Sequence, residues 1–126
     1  MDTYEVGKKL VELCRAGKNK DAINALYSQK IVSIEPQGSP QMPARMEGLP
    51  AIKEKNEWWE KNHKIHGHEV EGPWPNGDRF IVRFRYDVEG TGGPMKGKRM
   101  KLDETGLYTV EDGKIVQEEF FYHMPG

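Results

Sequence analysis

The stretch that decides the fold is residues 99–123, RMKLDETGLYTVEDGKIVQEEFFYH. Two runs rich in β-branched and aromatic residues flank Glu111-Asp112-Gly113-Lys114. Asp-Gly between such runs is the strongest short hairpin signal that a sequence carries. Asp103, Glu104, Glu118 and Glu119 all fall inside the two predicted strands. A charge on a strand either faces water or lines a cavity, and the period-two alternation of side chains sorts one from the other.

Working back from the hairpin, Gly90-Thr91-Gly92-Gly93-Pro94 makes a flexible turn, and residues 79–89 before it alternate cleanly. Phe80, Val82, Phe84, Tyr86 and Val88 share one face, while Arg79, Arg83, Arg85 and Asp87 sit mostly on the other, interrupted by Ile81. That is an antiparallel strand with one side to the core and one to water. Residues 63–70 form another strand, stopped by Gly72-Pro73 and the turn Pro75-Asn76-Gly77-Asp78. Residues 49–62 read as a helix with Pro50 in its first turn. Leu49, Ile52, Asn56 and Trp59 share one of its faces, and Trp58 lies about 100° round from them. Residues 37–48, with Gly38, Pro40, Pro43 and Gly48, form a loop long enough to cover a site. Ile31 to Glu35, ended by Pro36, is a short strand. Before it come helices over residues 4–16 and about 19–27, the first capped by Thr3 and closed by Gly17. Helices first and a strand meander later is an α+β arrangement: three N-terminal helices packed on one face of a strongly curved antiparallel sheet, in a single domain over residues 1–126.

The bulk numbers narrow the function classes. At 126 residues the chain buries a real core. Charged residues are 31% of it and the net charge is −1, with Lys and Arg spread along the chain, so no field gathers nucleic acid or anionic lipid. No apolar run reaches the ~18–20 residues that span a bilayer. The N-terminal residues lack the basic-then-apolar order of a signal peptide, and the single Cys14 fits a reducing compartment. The expectation is a soluble cytoplasmic domain without nucleic-acid or membrane partners. Cys14 falls on the apolar stripe of the first helix with no basic neighbour on that face, and reads as an inert core thiol.

Several segments together resemble the nuclear-transport-factor-2-like superfamily, in its SnoaL-like branch. They are Leu26-Tyr27 leading into Ile31-Val32-Ser33-Ile34-Glu35-Pro36, then Met46-Glu47-Gly48 before the third helix. Gly77-Asp78-Arg79-Phe80 opens the central strand, and Tyr108-Thr109-Val110-Glu111-Asp112-Gly113-Lys114-Ile115 is the most family-like piece. Their order over nearly the whole chain carries the likeness; no single motif does. The resemblance implies a cystatin-like, cone-shaped roll with a deep apolar pocket between helices and sheet, commonly in a homodimer formed through sheet faces. It does not select an activity, because the superfamily holds polyketide cyclases, ketosteroid isomerase, dehydratases, epoxide hydrolases and binding-only members.

Within such a pocket the alternation nominates the polar residues. Leu102, Gly106, Tyr108 and Val110 are the apolar side of their strand, which places Glu104 inward and Asp103 outward. A carboxyl in an apolar cavity gains a raised pKa, the condition for acid–base work near neutrality; the competing reading is a buried Glu tied to an Arg, Tyr or Trp. If Ile115 packs inward, as the resemblance implies, Gln117, Glu119, Phe121 and His123 share its face. The opposite face carries Val116, Glu118, Phe120 and Tyr122, so acids and aromatics occur on both and the inward face stays open, with Glu119 and Phe121 assigned to the pocket. Tyr86, on the inner face with Phe84, is either an oxyanion donor or a core tyrosine reaching a backbone carbonyl. Glu35 belongs at the pocket mouth or in a rim salt bridge. Trp59 roofs the pocket or simply packs its helix.

His66 and His68 are two apart and share one face with Val70. Such a pair binds a metal only if a carboxylate joins from another strand, and no third ligand is near in sequence. The favoured reading has one histidine lining the pocket and hydrogen-bonding a substrate or Glu104. His63 and His123 read as surface or end residues.

The function expected is therefore that of a pocket protein for a small apolar or aromatic ligand. As an enzyme it is a cofactor-independent isomerase or cyclase that moves a proton next to a carbonyl, with Glu104 as base and Tyr86 and His68 stabilising the enolate. The alternatives are a non-catalytic small-molecule binding protein and a dimeric interaction module. Neither a cofactor nor a metal is expected.

Overall fold

A computed structural model describes residues 1–39 and 42–123. Helix α1, Thr3–Arg15, turns Val6, Leu10, Val11 and Cys14 inward. Its cap is Asp2 rather than Thr3: the Asp2 carboxylate accepts from the Glu5 amide at 2.8 Å, and the Glu5 carboxylate accepts from the Asp2 amide at 3.2 Å. Aspartate with glutamate three residues on satisfies two orphan donors at once, which Thr3 has no partner to do. Gly7 is where α1 meets the sheet; a Cβ there would stand 2.8 Å from Pro73 and 3.1 Å from Phe80. Helix α2, Asn19–Leu26, leads directly into strand β1, Tyr27–Ile34. β2, Arg45–Glu47, comes after the loop that contains Pro40, and Pro40 itself lies outside the described residues. Helix α3, Leu49–Asn62, has the bounds its sequence signals predict.

Three long strands and a final shorter one follow: β3, His63–Asn76; β4, Arg79–Gly90; β5, Arg99–Glu111; and β6, Lys114–Phe121. β3 runs past Gly72-Pro73, where the sequence suggests a stop, because its register with β4 shifts between Glu71 and Trp74 and resumes. Asp112 and Gly113 both take positive φ, 51° and 73°, as the tight β5–β6 turn requires.

The sheet order is β2-β1-β6-β5-β4-β3, an open six-stranded sheet. It is mixed rather than purely antiparallel. β1 runs parallel to β6, because the chain enters both strands from the same end of the sheet. The three helices pack on one face of it, which is the α+β architecture expected, and Val6, Leu10, Leu26, Ile31, Phe80, Val82 and Ile115 form the dry centre between the layers. No helix among the described residues is long and apolar enough to cross a membrane.

Candidate functional site

Between the helices and the sheet face they cover lies a cavity of about 380 Å³, the size of a small-molecule site. Of the residues nominated from sequence, Glu104, Tyr86, Glu35, Trp59, Phe84 and Tyr108 line it. His68, His66, Glu119 and Phe121 do not.

A β-bulge accounts for the second strand of the hairpin. Val110 opposes Ile115, but Thr109 opposes Gln117, so Val116 is an extra residue on β6. One extra residue exchanges the two faces of everything that follows. Ile115 packs inward as expected, yet Glu118, Phe120 and Tyr122 line the cavity while Glu119 and Phe121 turn outward.

A second bulge separates the histidines. Ile65 opposes Val88 and Gly67 opposes Asp87, which makes His66 the extra residue on β3. His66 bonds Glu89 at 2.8 Å on the outer face. His68 keeps the inner-face phase opposite Tyr86, but it lies at the exposed edge strand, where its Nε2 stands 3.1 Å from the carbonyl oxygen of Arg15 at the end of α1. His63, assigned to the surface from sequence, lines the cavity instead and stacks on Trp59 with ring centroids 4.6 Å apart.

Glu104 opposes Phe84 across β4 and β5, so it belongs to the aromatic inner face, while Asp103 turns outward to a two-pronged pair with Arg83 at 2.6 and 3.0 Å. No hydrogen bond to Glu104 is made by any of the described residues. Burial pushes its carboxyl up to about 7; neighbouring Glu35 and Glu118 add to the rise and Lys55 opposes it. Tyr86 is held well above the ordinary phenol range by burial and then by the charge of Glu104. It therefore stays a neutral O–H through the physiological range.

The polar floor of the site was not legible in the sequence. Glu118, 4% exposed, takes the hydroxyl of Tyr27 on one oxygen and that of Ser33 on the other, the latter at 2.8 Å. Ser33 in turn accepts from the Lys55 ammonium at 3.0 Å, and Lys55 is ion-paired with Glu35. Burial raises the Glu118 carboxyl, with Lys55, Tyr27 and Ser33 holding it down. Tyr122 stands by Glu35 at the same end, its phenol raised by burial and then by that carboxylate. Lys55 had a signal: it lies three residues after Ile52 and four before Trp59, on the apolar side of α3. Glu118 stood on one of two faces left open, because nothing local marks Val116 as a bulge.

Chemically the cavity offers one unpartnered carboxyl near neutrality, neutral phenols, one anchored ammonium and broad aromatic walls. Among the described residues no three His, Cys, Asp or Glu side chains are grouped so as to hold a metal ion.

No curated protein sequence matches the chain significantly. A crystal structure from Mesorhizobium loti, provisionally designated a SnoaL-like polyketide cyclase, is 40% identical, with 97% of this chain and 100% of that one covered at a TM-score of 0.89. A protein of unknown function with a cystatin-like fold from Xanthomonas campestris is 19% identical over 98% and 92% of the two chains, TM-score 0.73. A provisional isomerase from Bacillus subtilis is 18% identical over 98% and 90%, TM-score 0.76. These last two show the fold alone. The family model for the SnoaL-like domain matches residues 1–122, and the chain belongs to that family.

Proposed function

We propose that this chain catalyses proton transfer at a carbon next to the carbonyl of a small apolar or aromatic compound, as a cofactor-independent isomerase or cyclase. Glu104 takes the proton, the C–H electron pair becomes a C=C bond, and the carbonyl oxygen gains the charge. Tyr86 donates its O–H to that oxygen; Trp59, Phe84 and Tyr108 hold the flat body of the substrate. The observation that carries the reading is Glu104 itself: a carboxyl without a protein partner among the described residues, in an apolar cavity, raised to about 7. A group at that value is half ionised at neutral pH and serves in either direction of a proton transfer. The structure at 40% identity carries a provisional designation as a SnoaL-like polyketide cyclase, beside a bracketed one as a carbohydrate phosphatase, and the first is in keeping with this reaction class. His68 has no role in this scheme, since it is not among the residues that line the cavity.

The test is proton–deuterium exchange into a panel of cyclic and aromatic ketones, followed by NMR in deuterated buffer. Exchange should rise with pH through about 7 and fall by roughly a hundredfold or more in Glu104→Gln, the range expected for a general base. Saturable binding of these compounds with no exchange in any of them would favour the binding-protein reading instead.

We further infer a homodimer that pairs through the outer sheet face. Supporting it, Trp74 is 52% exposed and Ile81 39%, directly paired on the outer faces of β3 and β4, and Phe121, 50% exposed, lies on the same outer face two strands away on β6. A cytoplasmic location fits the single, buried, unpaired Cys14.

A further inference from the structure

The buried carboxylate of Glu118 plays no part in the proton transfer proposed above, yet it is costly. A desolvated carboxylate persists only where good donors take its oxygens. Tyr27 and Ser33 do so here. Because Ser33 gives its single hydrogen to Glu118, its oxygen is free to accept, and it accepts from Lys55 at 3.0 Å. Of this network, which also meets the cavity at Tyr27 and Glu118, the Lys55 ammonium is the one cation. Glu35 and the face of Phe120, 5.4 Å away at its centroid, fix that ammonium further. An ammonium has three hydrogens. Ser33 and Glu35 take two, and among the described residues no third acceptor engages Lys55.

Proton transfer moves charge without creating it. When Glu104 becomes neutral, a full negative charge appears on the substrate oxygen inside apolar walls, where an uncompensated charge is expensive. Lys55 is the one lysine or arginine among the described residues lining the cavity. We propose that Lys55 binds the oxyanion of the substrate, alongside Tyr86, and that Ser33, held by Glu118, is a positioning residue for it. The proposal rests on the proton-transfer reading of Glu104. The cycle closes when neutral Glu104 returns the proton to a second carbon, so the step is redox-neutral and needs no co-reactant.

A phenolate imitates the enolate, and its ionisation is visible by absorbance without any turnover. The probe is 4-nitrophenol at about pH 6, below its own ionisation and where Glu104 is largely protonated. Bound to the wild-type chain it should show the phenolate band. Lys55→Met and Lys55→Gln should remove the band and weaken binding by roughly tenfold to a hundredfold, the loss of one charged hydrogen bond, whereas Lys55→Arg should keep it. Ser33→Ala should reduce the phenolate fraction and Ser33→Thr restore it, which a merely structural role for Ser33 would not produce. Unfolding curves establish that each variant is folded. Glu104→Gln should retain the phenolate band, so loss of exchange in that variant and loss of the band in the Lys55 variants report separate failures. The proposal is overturned if the wild type binds the probe as the neutral phenol, if the band survives Lys55→Met, or if neither nitrophenol nor the larger naphthols bind.

Discussion

Glu104→Gln should stabilise the folded chain at pH 8 while leaving it almost unchanged near pH 4.5. The folded-state carboxyl is raised from 4.5 to about 7, chiefly by burial. Between those two values the folded chain keeps a proton that the unfolded chain has already released. More protons bound in the folded state means that stability falls as pH rises across the window and levels off above about 7. Each pH unit is worth about 1.4 kcal/mol for one whole proton, so the ionised Glu104 costs about 3 kcal/mol at pH 8. Water entering the cavity would soften that cost, which makes the figure an upper one. Glutamine has nearly the same shape and no charge, and so escapes the penalty. Urea unfolding of both proteins at several pH values between about 4.5 and 8 isolates the effect, because Glu118, whose carboxyl is also raised, is present in both. The difference in unfolding free energy should open from near zero to as much as about 3 kcal/mol in favour of the variant. A difference that does not change with pH would refute the reasoning. So would a variant less stable than wild type at pH 8, since Glu104 would then be an ionised, well-paired carboxylate in the folded state.

Other consequences are equally direct. A Cβ at Gly106 would stand 2.7 Å from the Tyr108 ring, which lies over that glycine; Gly106→Ala should cost about 1–3 kcal/mol in thermal unfolding and push the ring into the cavity, weakening ligand binding. Burial, and then Glu118, pushes the Cys14 thiol up to about 12, so a thiol reagent at pH 8 should modify it far more slowly than a free thiol even though it borders the cavity, and rapid modification of the native protein would count against this environment. If the outer face joins two copies, Phe121→Glu should lower the sedimenting mass to that of one chain, whereas Tyr4→Glu, at an exposed position on α1, should not.

The parts of the structure that depend on local rules were legible in the sequence. Alternation in β4 assigned Phe80, Val82, Phe84, Tyr86 and Val88 to one face, and the register places all of them on the cavity side or in the core. The same logic on β5 separated Glu104 from Asp103. Gly48, Leu49 and Pro50 marked the start of α3, and Asp112-Gly113 fixed the hairpin turn, because caps and tight turns are decided by residues adjacent in the chain.

Two inserted residues limited how far that alternation reached. Val116 and His66 are bulges, and neither has a side chain or a neighbour that sets it apart from an ordinary strand residue. The first moved Glu118, Phe120 and Tyr122 into the cavity in place of Glu119 and Phe121; the second put His66 and His68 on opposite faces of the sheet. The parallel pairing of β1 with β6 likewise joins segments more than 80 residues apart. It brings Ser33 beside Glu118, and α3 then brings the Lys55 ammonium onto Ser33. The sequence by itself determined the helix-then-meander order, the turn and the inward carboxyl of Glu104. Only the tertiary structure decided which face of β6 turns inward and what its buried glutamate touches, because a bulge and a non-local strand pair are settled by packing between distant segments rather than by the residues that carry them.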